Sequence, residues 1–145
     1  MPEPITLTLE VADDLAEVGR VQEELSSLWA SRALPGEIEP TVSLALEEVL
    51  SNVLRHGRRN GTPFGIRVTF AVDAAGFEFE VSDGAEAYNP LARPDPDLTL
   101  SLEQRRPGGL GVFLVKQLAD EVGYEHRNGR NHLRFRKLFG PRAAG

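Results

Sequence analysis

Apolar and polar residues alternate or recur at regular intervals along most of this chain. Strict alternation, which is typical of half-buried β-strands, occurs in the segments ITLTLE, FGIRVTFAVD, GFEFEVSD and NHLRFRKL. Apolar residues three and four positions apart, the pattern of an amphipathic helix, occur across residues 15–28, 42–57 and 109–122. These patterns predict about three helices and about five strands.

Turn residues indicate how these elements pack. Ala74, Ala75 and Gly76 lie between two predicted strands and indicate an antiparallel hairpin, and NGRN at residues 128–131 predicts a tight turn before the last strand. Strands joined by hairpins form one sheet, and the helices then cover one of its faces. We therefore predict an α+β two-layer sandwich, with a mainly antiparallel sheet of about five strands covered on one face by about three helices.

The chain length and one long aperiodic segment define the domain organisation. A length of 145 residues suits a single compact domain, which we predict to span residues 1–145. Residues 84–107 contain scattered Pro, Gly, Asp and Ala with little periodicity. Connections in compact domains are normally much shorter, and long ones often act as lids over a ligand. We predict such a lid in this segment.

Composition and charge exclude several classes of function. A formal net charge of -6 argues against a general nucleic-acid surface, because duplex binding depends on neutralisation of phosphates by Lys and Arg. The absence of cysteine excludes disulfides, thiolate zinc sites and a cysteine nucleophile. The segment MPEPITLTLE lacks the basic start and apolar run of a secretory signal, and no segment reads as a membrane span. We predict a cytoplasmic protein that binds neither nucleic acid nor membrane.

A polar pair interrupts the second predicted helix. Glu48 and Asn52 lie four residues apart, so their side chains point to the same side of the helix and can share a space roughly 6 Å across. Glu47 is rotated by about a hundred degrees and faces elsewhere. Because the flanking residues are apolar, a polar pair on or near the buried face is costly unless it is satisfied. Taken alone, the pair also fits a solvated helix face with a side-chain hydrogen bond.

Two further motifs carry candidate chemistry. Asp83 ends a predicted strand and is followed by small residues, so its carboxylate fits either a contact with a ligand edge or an ordinary turn. Gly108, Gly109 and Gly111 precede and enter an apolar helix, which leaves free amides and a positive dipole end for an anion. A structural turn explains these glycines equally well, and their spacing matches neither the Walker loop nor the dinucleotide fingerprint.

The order of these motifs resembles a known nucleotide site. ExxxN on a helix, Asp at a strand end, a proline-bearing loop and GGLG at the start of a helix together resemble the site of the GHKL ATPases. Within that superfamily, the chain with GGLGVFLVKQLADEVGYEHRNGRNHLRFRK resembles the bacterial anti-sigma factors of the serine/threonine protein kinase type, over residues 5–138. The resemblance implies the Bergerat, or histidine-kinase-like ATPase, fold.

The resemblance also implies roles for individual residues, with ATP and Mg²⁺ as cofactors. Glu48 would be the catalytic base for the incoming hydroxyl, Asn52 would hold Mg²⁺, and Asp83 would accept a hydrogen bond from the adenine amino group. Amides near the glycines would hold the phosphates. The implied ATP-binding set is Asn52, Asp83, Ala85, Ala87, Arg105, Gly108, Gly109, Leu110 and Gly111.

The segment after Asp83 departs from the family pattern. The pattern is Asp-x-Gly-x-Gly, whereas this chain has Ala85 and Ala87 at the glycine positions. Alanine lacks the freedom of glycine at positive φ and adds a methyl group, which would narrow the adenine pocket or shift the loop. The sequence YNP at residues 88–90 is similar to the FNP of close relatives. In the lid, Arg105 or Arg106 would reach the γ-phosphate.

The resemblance implies an anti-sigma regulatory factor with serine/threonine protein kinase activity. Such a protein phosphorylates an anti-sigma factor antagonist, holds a sigma factor inactive when the antagonist is not available, and forms a homodimer. A second hypothesis is an ATP-binding regulatory interaction module without kinase activity, in which ATP orders the lid. A third is a structural remnant that binds no nucleotide.

Overall fold

The structure is a computed structural model that describes residues 5–57, 65–92 and 109–140. Within these ranges, five strands and three α-helices form the predicted α+β two-layer sandwich, which is confirmed. No helix in these ranges is long and apolar enough to cross a membrane. The strands are β1 Ile5–Val11, β2 Ile66–Val72, β3 Gly76–Asp83, β4 Glu121–Arg127 and β5 Arg130–Leu138; the helices are α1 Glu17–Ser31, α2 Glu39–Gly57 and α3 Gly109–Leu118, with a 3-10 turn at Pro90–Ala92.

The sheet has the strand order β1-β2-β3-β5-β4, and every neighbouring pair is antiparallel. Two hairpins, β2–β3 and β4–β5, account for two of the four pairings, and the predicted hairpin at Ala74 and Ala75 is confirmed. The pairing of β3 with β5 joins the two hairpins and places Asp83 directly opposite Asn131. This register positions the candidate site.

One face of the sheet forms the core. Strand alternation directs Phe77, Phe79 and Val81 of β3 toward the helices, where all three are buried. Phe79 stacks on Phe135 of β5 with ring centroids 4.9 Å apart, and Trp29 of α1 packs on Phe77 at 5.2 Å. Full burial of one such side chain stabilises the native state by roughly 1.5–3 kcal/mol. Trp29 is thus a core residue.

The opposite face of the sheet is polar. His132 Nδ1 lies 2.9 Å from a Glu80 carboxylate oxygen, and Arg134 donates to Glu78 at 3.0 Å. Both pairs are diagonal across β3 and β5, two positions from the directly opposed residue, and they can meet because alternate residues of a strand face the same side. The three described helices therefore cover one face of the sheet, as predicted.

The first helix starts later than its apolar spacing suggests. The pattern begins at Leu15, whereas α1 begins at Glu17, and Leu15 is 47% exposed. Asp14 explains the difference, because its carboxylate accepts a hydrogen bond from the Ala16 amide at 2.9 Å and its carbonyl accepts one from the Glu17 amide. This local turn occupies the chain just before the helix.

The third helical pattern is also shorter in the structure. The spacing predicts a helix across residues 109–122, but α3 ends at Leu118 and β4 begins at Glu121. Pairing with β5 overrides the helical period, since Val122 and Tyr124 of this edge strand face the helix layer opposite Phe135 and Leu133. The predicted tight turn is confirmed: Asn128 and Gly129 have φ of 53° and 74°, as a type I′ turn requires.

Asp73 fixes the turn between β2 and β3. Its Oδ1 accepts hydrogen bonds from the amides of Ala75 and Gly76 at 2.8 and 2.9 Å, and Arg136 donates to both carboxylate oxygens at 3.1 Å. The Arg136 guanidinium first, and then the two amides, hold the pKa of Asp73 below its ordinary value of 3.8.

We expect Asp73→Asn to weaken the dependence of the unfolding free energy on pH in the acid range. The folded pKa lies below the unfolded one, so the ionised carboxylate stabilises the native state above about pH 3.8 and this contribution is lost as pH falls through the folded pKa. Urea unfolding from about pH 6 to about pH 2.5 measures the slope. Glu37→Gln, at an exposed carboxyl outside the hairpin, is the control, and equal slopes in both variants would contradict the prediction.

Candidate nucleotide-binding site

A cleft opens between α2, α3 and the end of the sheet where β3 stops. It contains about 410 Å³ of space free of atoms, part of it open to solvent. The residues that line it are Glu48, Val49, Asn52 and Val53 of α2; Val81, Asp83, Tyr124, Asn131 and Leu133 of the sheet; Tyr88, Pro90 and Leu91 of the loop after β3; and Val112 and Val115 of α3.

Helix α2 directs the predicted polar pair into this cleft. The buried Leu46 and Leu50 turn one side of α2 to the core, so that Glu48 and Asn52 line the cleft together while Glu47 is exposed. Asn52 is only 8% exposed. Among the hydrogen bonds between described residues, none uses its carboxamide, so a buried polar group faces the cleft with its hydrogen-bonding capacity available.

The start of α3 lies against Glu48. A Cβ added at Gly111 would be 3.1 Å from Glu48 Cδ and closer still to a carboxylate oxygen, so only glycine permits this approach without a shift of Glu48. Gly111 belongs to the first turn of α3, where backbone amides lack intrahelical acceptors and the helix dipole favours negative charge. Gly109 begins the helix. Arg105 and Gly108, like the side chain of Leu110, lie outside the described part of the chain.

Asp83 lines the cleft from the end of β3 and is 5% exposed. Its Oδ1 accepts hydrogen bonds from the Ala85 amide and from Asn131 Nδ2, both at 3.0 Å. In the described contacts Oδ1 takes both hydrogen bonds, so Oδ2 is the carboxylate oxygen left to accept one from a ligand.

The two alanines after Asp83 adopt ordinary backbone conformations. Among the described residues, the non-glycine residues with positive φ are Ala33 and Asn128, so neither Ala85 nor Ala87 needs the freedom of glycine. Ala85 packs against the core and Ala87 is exposed. Neither alanine is among the residues that line the described cleft. The departure from the family pattern therefore creates no backbone strain here.

Asn131 and Tyr124 are site residues that sequence reasoning missed. Asn131 was attributed to the turn before β5, but it is the second residue of that strand, it is 6% exposed and it faces the cleft. The available signal was the alternation of Asn131, Leu133 and Phe135, which puts a polar residue on the apolar side of the strand. Burial raises the pKa of Tyr124, and the Asp83 charge adds to this rise, so its hydroxyl remains a donor.

Tyr88, in the YNP sequence, is a third cleft residue without a predicted role. Its ring stacks on His56 in the last turn of α2, with centroids 4.3 Å apart and an interplanar angle of 29°. Its amide donates to Asn131 Oδ1 at 3.1 Å. The described beginning of the predicted lid is therefore attached both to α2 and to β5.

The oxygen-bearing side chains in the cleft fit Mg²⁺. Carboxamide and carboxylate oxygens are its usual protein ligands, and it keeps waters and phosphate oxygens in its remaining positions. Within the described ranges no group of three His, Cys, Asp or Glu residues could hold a metal by itself. Asn52 lines the cleft and carries such an oxygen, so it could serve as one ligand of an ion that also binds phosphate oxygens.

This arrangement defines a class of protein. The helix that carries Glu48 and Asn52 faces the glycine-rich start of a second helix across a cleft. Both helices pack on an antiparallel sheet whose strand β3 ends at Asp83. These are the features of a histidine kinase-like ATPase. The family profile described as "Histidine kinase-like ATPase domain" matches residues 11–137, and the chain belongs to this family.

Two proteins similar to this chain are named as serine or serine/threonine protein kinases. The chain is 29% identical over 109 residues to the serine/threonine-protein kinase BtrW of Bordetella bronchiseptica, which covers 75% of this chain and 73% of the relative. It is 26% identical over 133 residues to the serine-protein kinase RsbW of Listeria monocytogenes, which covers 89% of this chain and 83% of the relative. The family resemblance read from the sequence is confirmed.

A solved structure agrees with the fold. It contains the RsbU and RsbW domains of Rv1364c from Mycobacterium tuberculosis and superposes with a TM-score of 0.64 at 15% identity. The match covers 97% of this chain and 34% of that longer chain, so the present chain corresponds to about a third of it. At this identity the likeness shows the fold alone, and it confirms the predicted histidine-kinase-like ATPase fold.

Proposed function

We propose that this protein is an ATP- and Mg²⁺-dependent serine/threonine protein kinase that acts as an anti-sigma regulatory factor. The observation that carries the proposal is the convergence of Glu48, Asn52 and the start of α3 on one cleft that Asp83 also lines. Two relatives named as serine kinases, each matched over at least 75% of this chain, support it.

The adenine ring and the phosphates of ATP bind to different parts of the cleft in this proposal. The adenine ring lies between apolar walls that include Val81, Val115 and Leu133, and its amino group donates to Asp83. The phosphates meet the amides of Gly109, Leu110 and Gly111 at the start of α3. The lid, predicted across residues 84–107, closes over them and brings Arg105 to the γ-phosphate.

The transfer step needs one proton acceptor and well-placed positive charge. Glu48 accepts the proton of a serine or threonine hydroxyl while that oxygen forms a bond to the γ-phosphorus. The bond from the γ-phosphorus to its bridging oxygen breaks, and ADP leaves. Mg²⁺ supplies charge neutralisation when bound, and Asn52 holds it. Phosphoryl transfer depends mainly on position and electrostatics, so no covalent nucleophile is required.

The regulatory part of the proposal rests on the family resemblance. The protein substrate is an anti-sigma factor antagonist, and the chain holds a sigma factor inactive when that antagonist is not available. The active species is a homodimer in the cytoplasm, and it contacts neither nucleic acid nor membrane directly. The formal net charge of -6 supports protein partners over nucleic acid.

We expect Glu48→Gln to lower transfer of labelled γ-phosphate to an antagonist protein by about 100-fold or more, because a carboxamide cannot accept the proton. The affinity for Mg-ATP, measured by calorimetry, should change little, since Glu48 is proposed to act on the hydroxyl. Glu47→Gln, at the exposed neighbouring carboxylate, is the matched control and should retain transfer. Full activity of Glu48→Gln would remove the proposed base.

A second variant tests the position of Glu48. In Gly111→Ala the new methyl group displaces the flexible carboxylate, so transfer should fall about 10- to 100-fold. The unfolding free energy should stay the same or rise by up to about 1 kcal/mol, because alanine is the better helix former. Gly123→Ala is the control, since an added Cβ there meets nothing within 4 Å. Unchanged transfer in Gly111→Ala would mean that the contact with Glu48 is not needed.

A non-catalytic ATP-binding module is the second candidate. Asn131 binds both the Ala85 carbonyl and the Tyr88 amide, so the beginning of the lid is attached to the sheet. This attachment favours the second candidate, because ATP that orders the lid then also changes a partner-binding surface next to it. In this case ATP changes the affinity for a partner without turnover.

Mg-ATP should raise the melting temperature, because a ligand that binds only the native state stabilises it, by about 2.7 kcal/mol at 100 times its dissociation constant. A parallel transfer assay with an antagonist protein separates the candidates. A thermal shift with transfer supports the kinase, and a shift without transfer supports the module. No shift at millimolar Mg-ATP would support the third possibility, a remnant that binds no nucleotide.

A further inference from the structure

The donor end of the Asn131 carboxamide contacts three oxygens on and after β3. Nδ2 donates to Asp83 Oδ1 at 3.0 Å, to the Glu86 carbonyl at 2.9 Å and to the Ala85 carbonyl at 3.3 Å. Two protons are therefore shared among three acceptors. The side chain that makes these contacts is 6% exposed, so water competes little for them.

The acceptor end of the same carboxamide also has hydrogen-bond partners. Oδ1 accepts hydrogen bonds from the Tyr88 amide at 3.1 Å and from the Tyr124 hydroxyl. A rotated carboxamide would place its oxygen against three oxygens and its amino group against two donors, so the network determines the orientation of Asn131. One side chain thus joins β3, the loop after it, β4 and β5.

We infer that Asn131 is a positioning residue that sets the preference for adenine, an inference that rests on the proposed function. By binding Asp83 Oδ1, Asn131 restricts the rotation of that carboxylate and reserves Oδ2 for the base. Adenine carries an amino group at C6, which donates to a carboxylate oxygen. Guanine carries a carbonyl oxygen at the same position, which a carboxylate oxygen repels.

A purely structural role for Asn131 predicts a different result. If Asn131 only stabilised the loop, its loss would weaken the binding of every nucleotide by a similar factor. If Asn131 acts through Asp83, its loss selectively removes the advantage of a base that donates at this position. The ratio of GTP to ATP dissociation constants distinguishes the two roles, because a general defect cancels in that ratio.

The test uses Asn131→Asp in the full chain. This variant keeps the size and the Oδ1 acceptor but replaces the amino group by an oxygen that faces Asp83 and two carbonyls. Calorimetry with Mg-ATP and Mg-GTP should show the ATP preference reduced by about tenfold, mainly through weaker ATP binding. Arg134→Gln is the control on the same strand, because its exposed side chain faces the opposite side of the sheet, and both affinities should be retained.

If Asn131→Asp does not fold, Asn131→Ala takes its place, and it should also reduce the preference for ATP over GTP. In an Asp83→Ala background, Asn131→Ala should leave the ratio unchanged, because the residue through which it acts is gone. An equal loss of ATP and GTP binding in the single variants, or a further change of the ratio in the double variant, would overturn the inference.

The outcome for the unaltered chain separates this inference from the proposed function. If the unaltered chain binds neither nucleotide, the proposed function fails and the inference fails with it. If it binds both nucleotides equally, ATP binding stands and the adenine preference assigned to Asn131 is wrong. If it prefers ATP and Asn131→Asp keeps that preference, the role of Asn131 alone is wrong.

Discussion

The antiparallel pairing of β3 with β5 is the contact on which the candidate site depends. It runs from Gly76 opposite Leu138 to Asp83 opposite Asn131, so two polar side chains meet at one end of the ladder. If either strand slipped by one residue, its own polar side chain would turn to the other face of the sheet and the two would no longer meet. The stacked and fully buried Phe79 and Phe135 oppose such a slip, because the strand that slips would expose its phenylalanine. The hydrophobic core therefore sets the position of Asp83.

Helix packing supplies the other half of the site. Burial of Leu46 and Leu50 fixes the rotation of α2 about its own axis, and this rotation decides that Glu48 and Asn52 face the cleft. The absence of a side chain at Gly111 then lets the start of α3 approach Glu48. The proposed chemistry thus requires core packing that orients α2 and a glycine that lets α3 approach it.

Local patterns predicted most of the fold and the polar pair on α2. Helical spacing is a local property, so the sequence was sufficient to pair Glu48 with Asn52. The contacts of Asn131 with Asp83 and with the loop after β3 join residues 43 to 48 positions apart, and the NGRN turn at residues 128–131 already accounted for Asn131. Strand β4 was missed because its apolar residue Val122 also continues the helical spacing of α3, and only pairing with β5 decides between the two.

The two ends of strand β3 lie in different environments, one apolar and one polar. At one end of β3, Trp29 packs on Phe77 in an apolar cluster; at the other, about 20 Å along the strand, Asp83 and Asn131 are buried and polar. These two bond to each other, whereas no hydrogen bond between described residues uses the Asn52 carboxamide, which lines the open cleft. A ligand can therefore bind Asn52 without breaking a contact between described side chains. The apolar end stabilises the sheet, and the polar end keeps this side chain accessible to a ligand.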